Sequence, residues 1–394
     1  MSENIKNIIG KVFNDIADAV ETGQFGQKVR VGITVLGSEH GVENIVKGAE
    51  AAQKRDSSVE VVLIGPKVET ELKIYEANTE DEQHRKMEEL LDSGEIQSAV
   101  TMHYNFPIGV STVGRVVTPG KGQEMFIATT TGTSSAHRVE GMVKNALYGI
   151  VTAKAMGIER PTVGILNVDG ARQVERALKE LKANGYDLEF AESMRADGGS
   201  VMRGNDLLAG TPNVMVTDSL TGNLLMKVFS SYTTGGDYEA MGYGYGPGIG
   251  EGYERTILIL SRASGVPVVA NAISFAADLA KGKVINISKA EFANANKAKF
   301  ADILKGLKKD TKKESKEDEG EVTAPEKEVV TGSISGVDIM ELEDAVLALW
   351  KNGIYAESGM GCTGPIVMVN ESKLDKAVEV LAKAGYVTKE SDPC

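Results

Sequence analysis

Val29-Arg30-Val31-Gly32-Ile33-Thr34-Val35 runs into Leu36-Gly37-Ser38-Glu39-His40-Gly41, a helical pattern follows through Ala52, and Val59-Glu60-Val61-Val62-Leu63-Ile64 ends on Gly65-Pro66. Two β-branched runs separated by one helix read as a strand–helix–strand unit, which requires parallel strands. The alternation continues outward. A helix over Lys86–Ser93 leads to a strand at Ile96–Met102, and a helix over Ala171–Asn184 separates strands at Thr162–Val168 and Val214–Thr217. A helix from Val139 to Met156 and another at Val268–Ala280 are further expectations, with strands at Thr256–Leu260 and Val284–Ile287 on either side of the latter. The fold class is therefore α/β, a largely parallel sheet with helices on both faces.

Residues 1–24 repeat Ile5, Ile8, Ile9, Val12, Phe13, Ile16 and Val20 near the helical period and read as an N-terminal helix of a body spanning 1–304. Residues 305–331 alternate Lys with Glu and Asp and contain almost nothing apolar, the composition of a flexible linker. Residues 332–394 then form a small α/β module, with helical patterns at Val337–Trp350 and Ser372–Ala384.

The chain has 394 residues and a formal net charge of −13, a balance that argues against nucleic acid and anionic membranes as partners. No apolar run approaches ~20 residues, and no signal peptide is visible, so a cytoplasmic location is expected. Only two cysteines occur, Cys362 and Cys394, which excludes a disulfide framework. The four histidines, His40, His84, His103 and His137, lack metal-ligand spacing, so no metal is expected.

Cys362 sits in Ser358-Gly359-Met360-Gly361-Cys362-Thr363-Gly364-Pro365. A thiolate is a strong nucleophile able to carry an acyl group, and the amides beside Gly361 and the hydroxyl of Thr363 are candidate donors to a thioester oxyanion. A small buried cysteine in a turn is the bland alternative. Cys394, at the last position given, suits a fixed nucleophile poorly. Candidate anion ligands follow the strands: Asn223 and Lys227 in Asp218–Lys227, Ser261 and Arg262 after Thr256–Leu260, and Thr131, Ser134 and Ser135 in a hydroxyl-rich loop over Thr129–Ser135. All are expected at one carboxyl edge of the sheet. Gly242–Gly252 reads as a glycine-rich loop over that site.

Asp218-x-x-x-Gly222-Asn223-x-x-x-Lys227, preceded by Gly204–Gly210, resembles the pattern of bacterial phosphate acyltransferases of phospholipid synthesis. Leu260-Ser261-Arg262 and Val269–Ile273 resemble the corresponding segment of phosphate acetyltransferases, except that Val268 stands where an acidic residue is expected. This resemblance, over roughly residues 25–300, implies an isocitrate/isopropylmalate dehydrogenase-like fold. Over the whole chain, the N-terminal helix, charged linker and Gly359–Pro365 segment resemble the protein C alpha-subunit family of the clostridial glycine reductase complex. That resemblance implies capture of an acetyl group on Cys362 as a thioester, and its release to inorganic phosphate as acetyl phosphate. It also implies a protein C beta subunit and selenoprotein A as partners, an oligomer, and no bound cofactor. A stand-alone phosphate acyltransferase using acyl carrier protein or coenzyme A, and a non-catalytic scaffold for a beta partner, are the alternatives.

Overall fold

The computed structural model describes residues 28–196, 198–307, 324–337, 341–361 and 364–387, together with Phe13, Ile16, Ala17 and Val20. Most of the helix expected over residues 1–24, the linker from 308 to 323, Cys362, Thr363 and Cys394 lie outside the described residues. The chain divides into two units, Met1–Lys305 and Gly306–Cys394.

The first unit is built on a twelve-stranded sheet. On one side, β1 (Val29–Thr34), β2 (Val59–Gly65), β3 (Lys73–Glu76), β4 (Ser98–Thr101) and β12 (Ile257–Ile259) are mutually parallel. On the other, β6 (Glu124–Gly132), β7 (Thr162–Leu166), β8 (Glu189–Phe190), β9 (Val201–Met202) and β10 (Val214–Val216) are parallel to one another. Between them lie β5 (Ser111–Val117) and β11 (Gly246–Ile249), each antiparallel to both its neighbours. Following the directions across this seam, β6 runs opposite to β12. The two halves therefore present their carboxyl ends at opposite edges of one sheet.

The helices are α1 (Val42–Arg55), α2 (Glu80–Asp92), α3 (Arg138–Ala155), α4 (Ala171–Ala183), α5 (Gly204–Ala209), α6 (Ser219–Ser231), α7 (Val266–Lys281) and α8 (Val284–Lys297), with a further helical stretch at 300–307. They cover both faces. A β-carbon on Gly149 of α3 would lie 3.1 Å from Ala128, and one on Gly222 of α6 would lie 3.3 Å from Ile127. Successive residues of β6 point to opposite faces, so α3 and α6 sandwich it. A β-carbon on Gly222 would also fall 1.8 Å from the Thr129 carbonyl oxygen. Backbone cannot yield there, and Gly222→Ala is expected to cost more than ~3 kcal/mol, read by urea unfolding.

Several expectations are corrected. Val284–Ile287 opens α8 rather than forming a strand: Val284, Ser288, Glu291, Phe292 and Ala295 are buried at helical spacing, and this periodicity overrides four β-prone residues. Gly242–Gly252 is not a loop over a site, because Gly246–Ile249 is the buried central strand β11. Gly246, at φ +86°, is required there, since a β-carbon would fall 1.7 Å from the Val113 carbonyl oxygen. Thr129–Gly132 is the end of β6, so the hydroxyl-rich loop begins only at Thr133. The sequence reading also lacked β3, β5, β8 and β9 altogether.

In the second unit, β13 (Gly332–Ser335), β14 (Ala356–Gly361) and β15 (Gly364–Val369) form an antiparallel sheet in the order β13-β15-β14. Helices α9 (Leu342–Lys351) and α10 (Leu374–Ala384) pack on it through Ile334, Leu349, Ala356, Val367, Val369 and Leu381. Trp350 donates its indole N–H to the Ala356 carbonyl at 2.9 Å, and Gly385, left-handed at φ 87°, ends α10. Gly361 lies opposite Gly364, on either side of Cys362 and Thr363 in sequence.

Candidate functional site

At the carboxyl end of β12 the chain turns through Ser261–Gly265 before α7 begins. The turn is tied down on two sides. Glu39 donates its backbone N–H to the Arg262 carbonyl at 2.9 Å, and Glu239 exchanges backbone hydrogen bonds with Ala263 and Gly265. Arg262 itself is half-exposed, with its guanidinium 3.7 Å from a Glu80 carboxylate oxygen. An exposed pair at that distance is weak, which leaves the planar fork available to an anion.

Lys227 reaches this edge because α6 starts at the other one and runs back across the sheet. Its Nζ lies 4.0 Å from Glu239 and 5.8 Å from the centre of the Tyr245 ring. Glu239 is only 3 % exposed, and it accepts hydrogen bonds at 3.2 Å from both the Tyr245 hydroxyl and Ser264 Oγ. Burial, reinforced by the Glu239 charge, pushes the Tyr245 phenol far up, so it stays a neutral donor; Ser261 hydrogen-bonds the same phenol. Lys227, Glu239, Tyr245 and Ser261 thus form one continuous set of charged and hydrogen-bonding groups, and Arg262 follows Ser261 in the same turn. Two cationic side chains beside fixed donors can hold a small oxyanion.

A small enclosed cavity adjoins Arg262, lined in part by Glu80, Gln83, His84 and His103. Gln83 accepts from the backbone N–H groups of Val35 and Leu36, while its buried Nε2 has no hydrogen-bond partner. A larger cavity, about 790 Å³, opens elsewhere, at the amino ends of β4 and β12 near Asp92, Arg255 and Lys283. Arg255 is committed there to Asp92 by two hydrogen bonds.

The structure separates the remaining candidates from this set. Asn223 donates to the Thr130 carbonyl at 3.1 Å, tying α6 to β6. Thr131, Ser134 and Ser135 lie at the carboxyl end of β6, the opposite edge to Arg262. Ser134 is buried in a network with Ser111 and Asn145, whose amide continues to the Thr217 carbonyl at 2.8 Å. Ser135 Oγ accepts the backbone N–H of His137. One expected cluster is therefore two, because the seam reverses strand direction between them. Glu239 and Tyr245 carried no motif; nothing in sequence connects them to Lys227 and Ser261.

Asp218 also belongs to the second edge. It caps α6, accepting from the Thr221 amide at 3.0 Å and hydroxyl at 2.7 Å, and pairs with Arg138 at 3.0 Å. Burial alone would push its carboxyl up, but the Thr221 hydrogen bonds and the Arg138 charge outweigh it and hold the group below the usual carboxylate range. A lowered carboxylate stabilises the fold above its unfolded value near ~3.9, and that contribution disappears as pH falls through the folded value. Asp218→Ala is expected to lose about 1–2 kcal/mol near pH 7, with the deficit shrinking in urea titrations run near pH 3.

Among the described residues no group of three or more His, Cys, Asp or Glu side chains could hold a metal, and no helix is long and apolar enough to cross a membrane.

The chain is similar to several known proteins. The family described as "Fatty acid synthesis protein" matches residues 29–368. The glycine/sarcosine/betaine reductase complex component C subunit alpha of Peptoclostridium acidaminophilum is 72 % identical over 384 residues, 98 % of this chain and 99 % of that protein. The chain belongs to the component C alpha family. That family shares its body with phosphate acyltransferases. The phosphate acyltransferase of Thermotoga neapolitana is 26 % identical, over 50 % of this chain and 68 % of that protein, and that of Clostridium acetobutylicum is 25 % identical, over 50 % and 71 %. A branched-chain phosphotransacylase structure from Enterococcus faecalis V583 superposes with a TM-score of 0.47 at 15 % identity, covering 64 % of this chain and 99 % of that one.

Proposed function

We propose that this chain carries an acetyl group as a thioester on Cys362 and releases it to inorganic phosphate as acetyl phosphate, as the alpha subunit of protein C in a glycine reductase complex. The observation that carries the reading is the placement of Lys227, Ser261 and Arg262 at one edge of a body similar in sequence to phosphate acyltransferases. A phosphate oxygen attacks the thioester carbonyl carbon, the tetrahedral intermediate expels Cys362 as thiolate, and acetyl phosphate leaves. Arg262 forks two donors onto the phosphate, and Lys227, anchored by Glu239, offsets its remaining charge. Donors beside Gly361 and Thr363 stabilise the oxyanion. The beta subunit and selenoprotein A are the partners this reading requires, in the cytoplasm, with phosphate as co-substrate and no bound cofactor.

The test is to incubate the full chain with acetyl phosphate, digest it and weigh the Cys362 peptide. An acetyl adduct on Cys362, absent from Cys394, is expected. An unmodified Cys362 peptide alongside measurable turnover overturns the covalent route.

A further inference from the structure

Three of the four histidines gather at the edge that holds Arg262. Because β1, β4 and β12 are parallel, the segments leaving their carboxyl ends emerge together: His40 after β1, His103 after β4 and Arg262 after β12. Helix α2 begins at the same edge and places His84 in its second turn. His137 lies at the opposite edge, just before α3. Histidine is the side chain whose ordinary range lets it exchange a proton near neutral pH, so the fold concentrates that capacity beside the anion-holding groups.

The three are not equivalent. His40 is exposed, and its Nε2 faces the Ala263 carbonyl at 3.3 Å; His103 is exposed as well. His84 is partly buried, its ring edge-on to Tyr104 at 6.0 Å between centroids and its Nε2 3.5 Å from Thr101 Oγ1. The Thr101 hydroxyl accepts from Thr34 at 2.9 Å and donates to the His103 carbonyl at 3.2 Å. Its proton is thereby committed, so towards Thr101 the His84 Nε2 is the donor and Nδ1 carries the lone pair. The charged and titratable groups around the ring are Glu80 and Glu88, one turn either way on α2, with His103, Tyr104 and Arg262. Tyr104 donates to Glu88 at 2.6 Å, and burial together with Glu88 pushes its phenol up. His84 and Arg262 line one cavity of about 10 Å³, room for a single oxygen atom.

The reaction proposed above needs a proton carrier. Hydrogen phosphate enters with one proton. As an oxygen lone pair forms the bond to the acetyl carbon, the C–S bond breaks and its electron pair leaves on sulfur. Acetyl phosphate departs as the dianion and Cys362 returns to the thiol, so one proton passes from phosphate to sulfur in each turnover. Tyr245 is held neutral by burial, and Glu239 is 3 % exposed with both carboxylate oxygens already accepting hydrogen bonds, so neither is placed to carry it. We propose that His84 is the general base and acid of this edge, taking the proton from the phosphate oxygen held by Arg262 and delivering it to the departing sulfur. The proposal rests on the thioester reading and supplies a residue that reading lacks.

Arsenolysis of acetyl phosphate by the full chain tests it, since arsenate brings the same proton and its acetyl ester hydrolyses at once. His84→Ala is expected to lower kcat about 100-fold while the KM for arsenate changes less than ~3-fold. Added imidazole is expected to restore at least about a tenth of the wild-type rate, which a purely structural histidine does not allow. A second arm needs no variant to fold. In the wild type, phosphate is expected to slow carbethoxylation of His84 by diethyl pyrocarbonate, read by mass spectrometry, and to leave His137 unaffected. Wild-type kcat in His84→Ala overturns the proposal, as does a loss that imidazole leaves unrestored with His84 unprotected by phosphate. If Cys362→Ala abolishes arsenolysis and His84→Ala does not, the assignment of His84 alone falls. If Cys362→Ala leaves arsenolysis intact, the thioester reading falls and the assignment with it.

Discussion

Cys362→Ala is expected to abolish arsenate-dependent cleavage of acetyl phosphate, by at least ~10³-fold, equivalent to about 4 kcal/mol of transition-state stabilisation. A loss of that size distinguishes a covalent carrier from a bystander. Were the body a stand-alone acyltransferase taking acyl groups from a soluble carrier, the thiol would be spared by the chemistry and the substitution would change turnover little. Were the chain a scaffold, the wild type itself would show no arsenolysis. Cys362→Ser sharpens the experiment: an oxygen ester is a poorer acyl donor than a thioester, so the serine variant is expected to fail as well. Arsenolysis by the alanine variant at the wild-type rate would refute the thioester mechanism while leaving the phosphate edge intact.

Arg262→Gln is the second large effect. It removes the planar charged fork at the phosphate edge, and the expected result is a 10- to 100-fold rise in the KM for phosphate together with a lower kcat. Arg262→Lys is expected to recover only part, because a single ammonium cannot bind two oxygens in one plane. Glu80 supplies an internal control. It competes for the guanidinium across 3.7 Å in a half-exposed pair, so Glu80→Gln is expected to lower the KM for phosphate modestly. An unchanged KM for phosphate in Arg262→Gln would exclude this edge as the binding site, whatever the fate of Cys362.

The parts of the fold legible in the sequence are those where a buried strand is bounded by turn residues and followed by an amphipathic helix. Val29–Thr34, Val59–Gly65 and Val214–Val216 are of this kind, as is the helix capped by Asp218. The seam was illegible for a physical reason. Ser111–Val117 and Glu124–Gly132 carry Thr, Ser and Gly at buried positions, and Gly246–Ile249 contains two glycines and a proline. Their strand character comes from neighbouring strands rather than local propensity. At the candidate site, motif spacing marked Lys227, Ser261 and Arg262 as expectations, and the fold places them at one edge. Glu239 was not, since it joins Lys227 to Ser264 only after a twelve-stranded sheet has formed.

The reversed strand polarity at that seam has an electrical consequence. Each helix that follows a parallel strand begins at that strand's carboxyl end. The amino-terminal ends of α1, α2 and α7 therefore gather at one edge, and those of α3, α4 and α6 at the other. Their macrodipoles lie side by side and antiparallel and largely cancel, so each edge is backbone-positive over one half of the sheet and backbone-negative over the other. A protein of net charge −13 can in this way admit an anion at the positive half of an edge while repelling anions elsewhere.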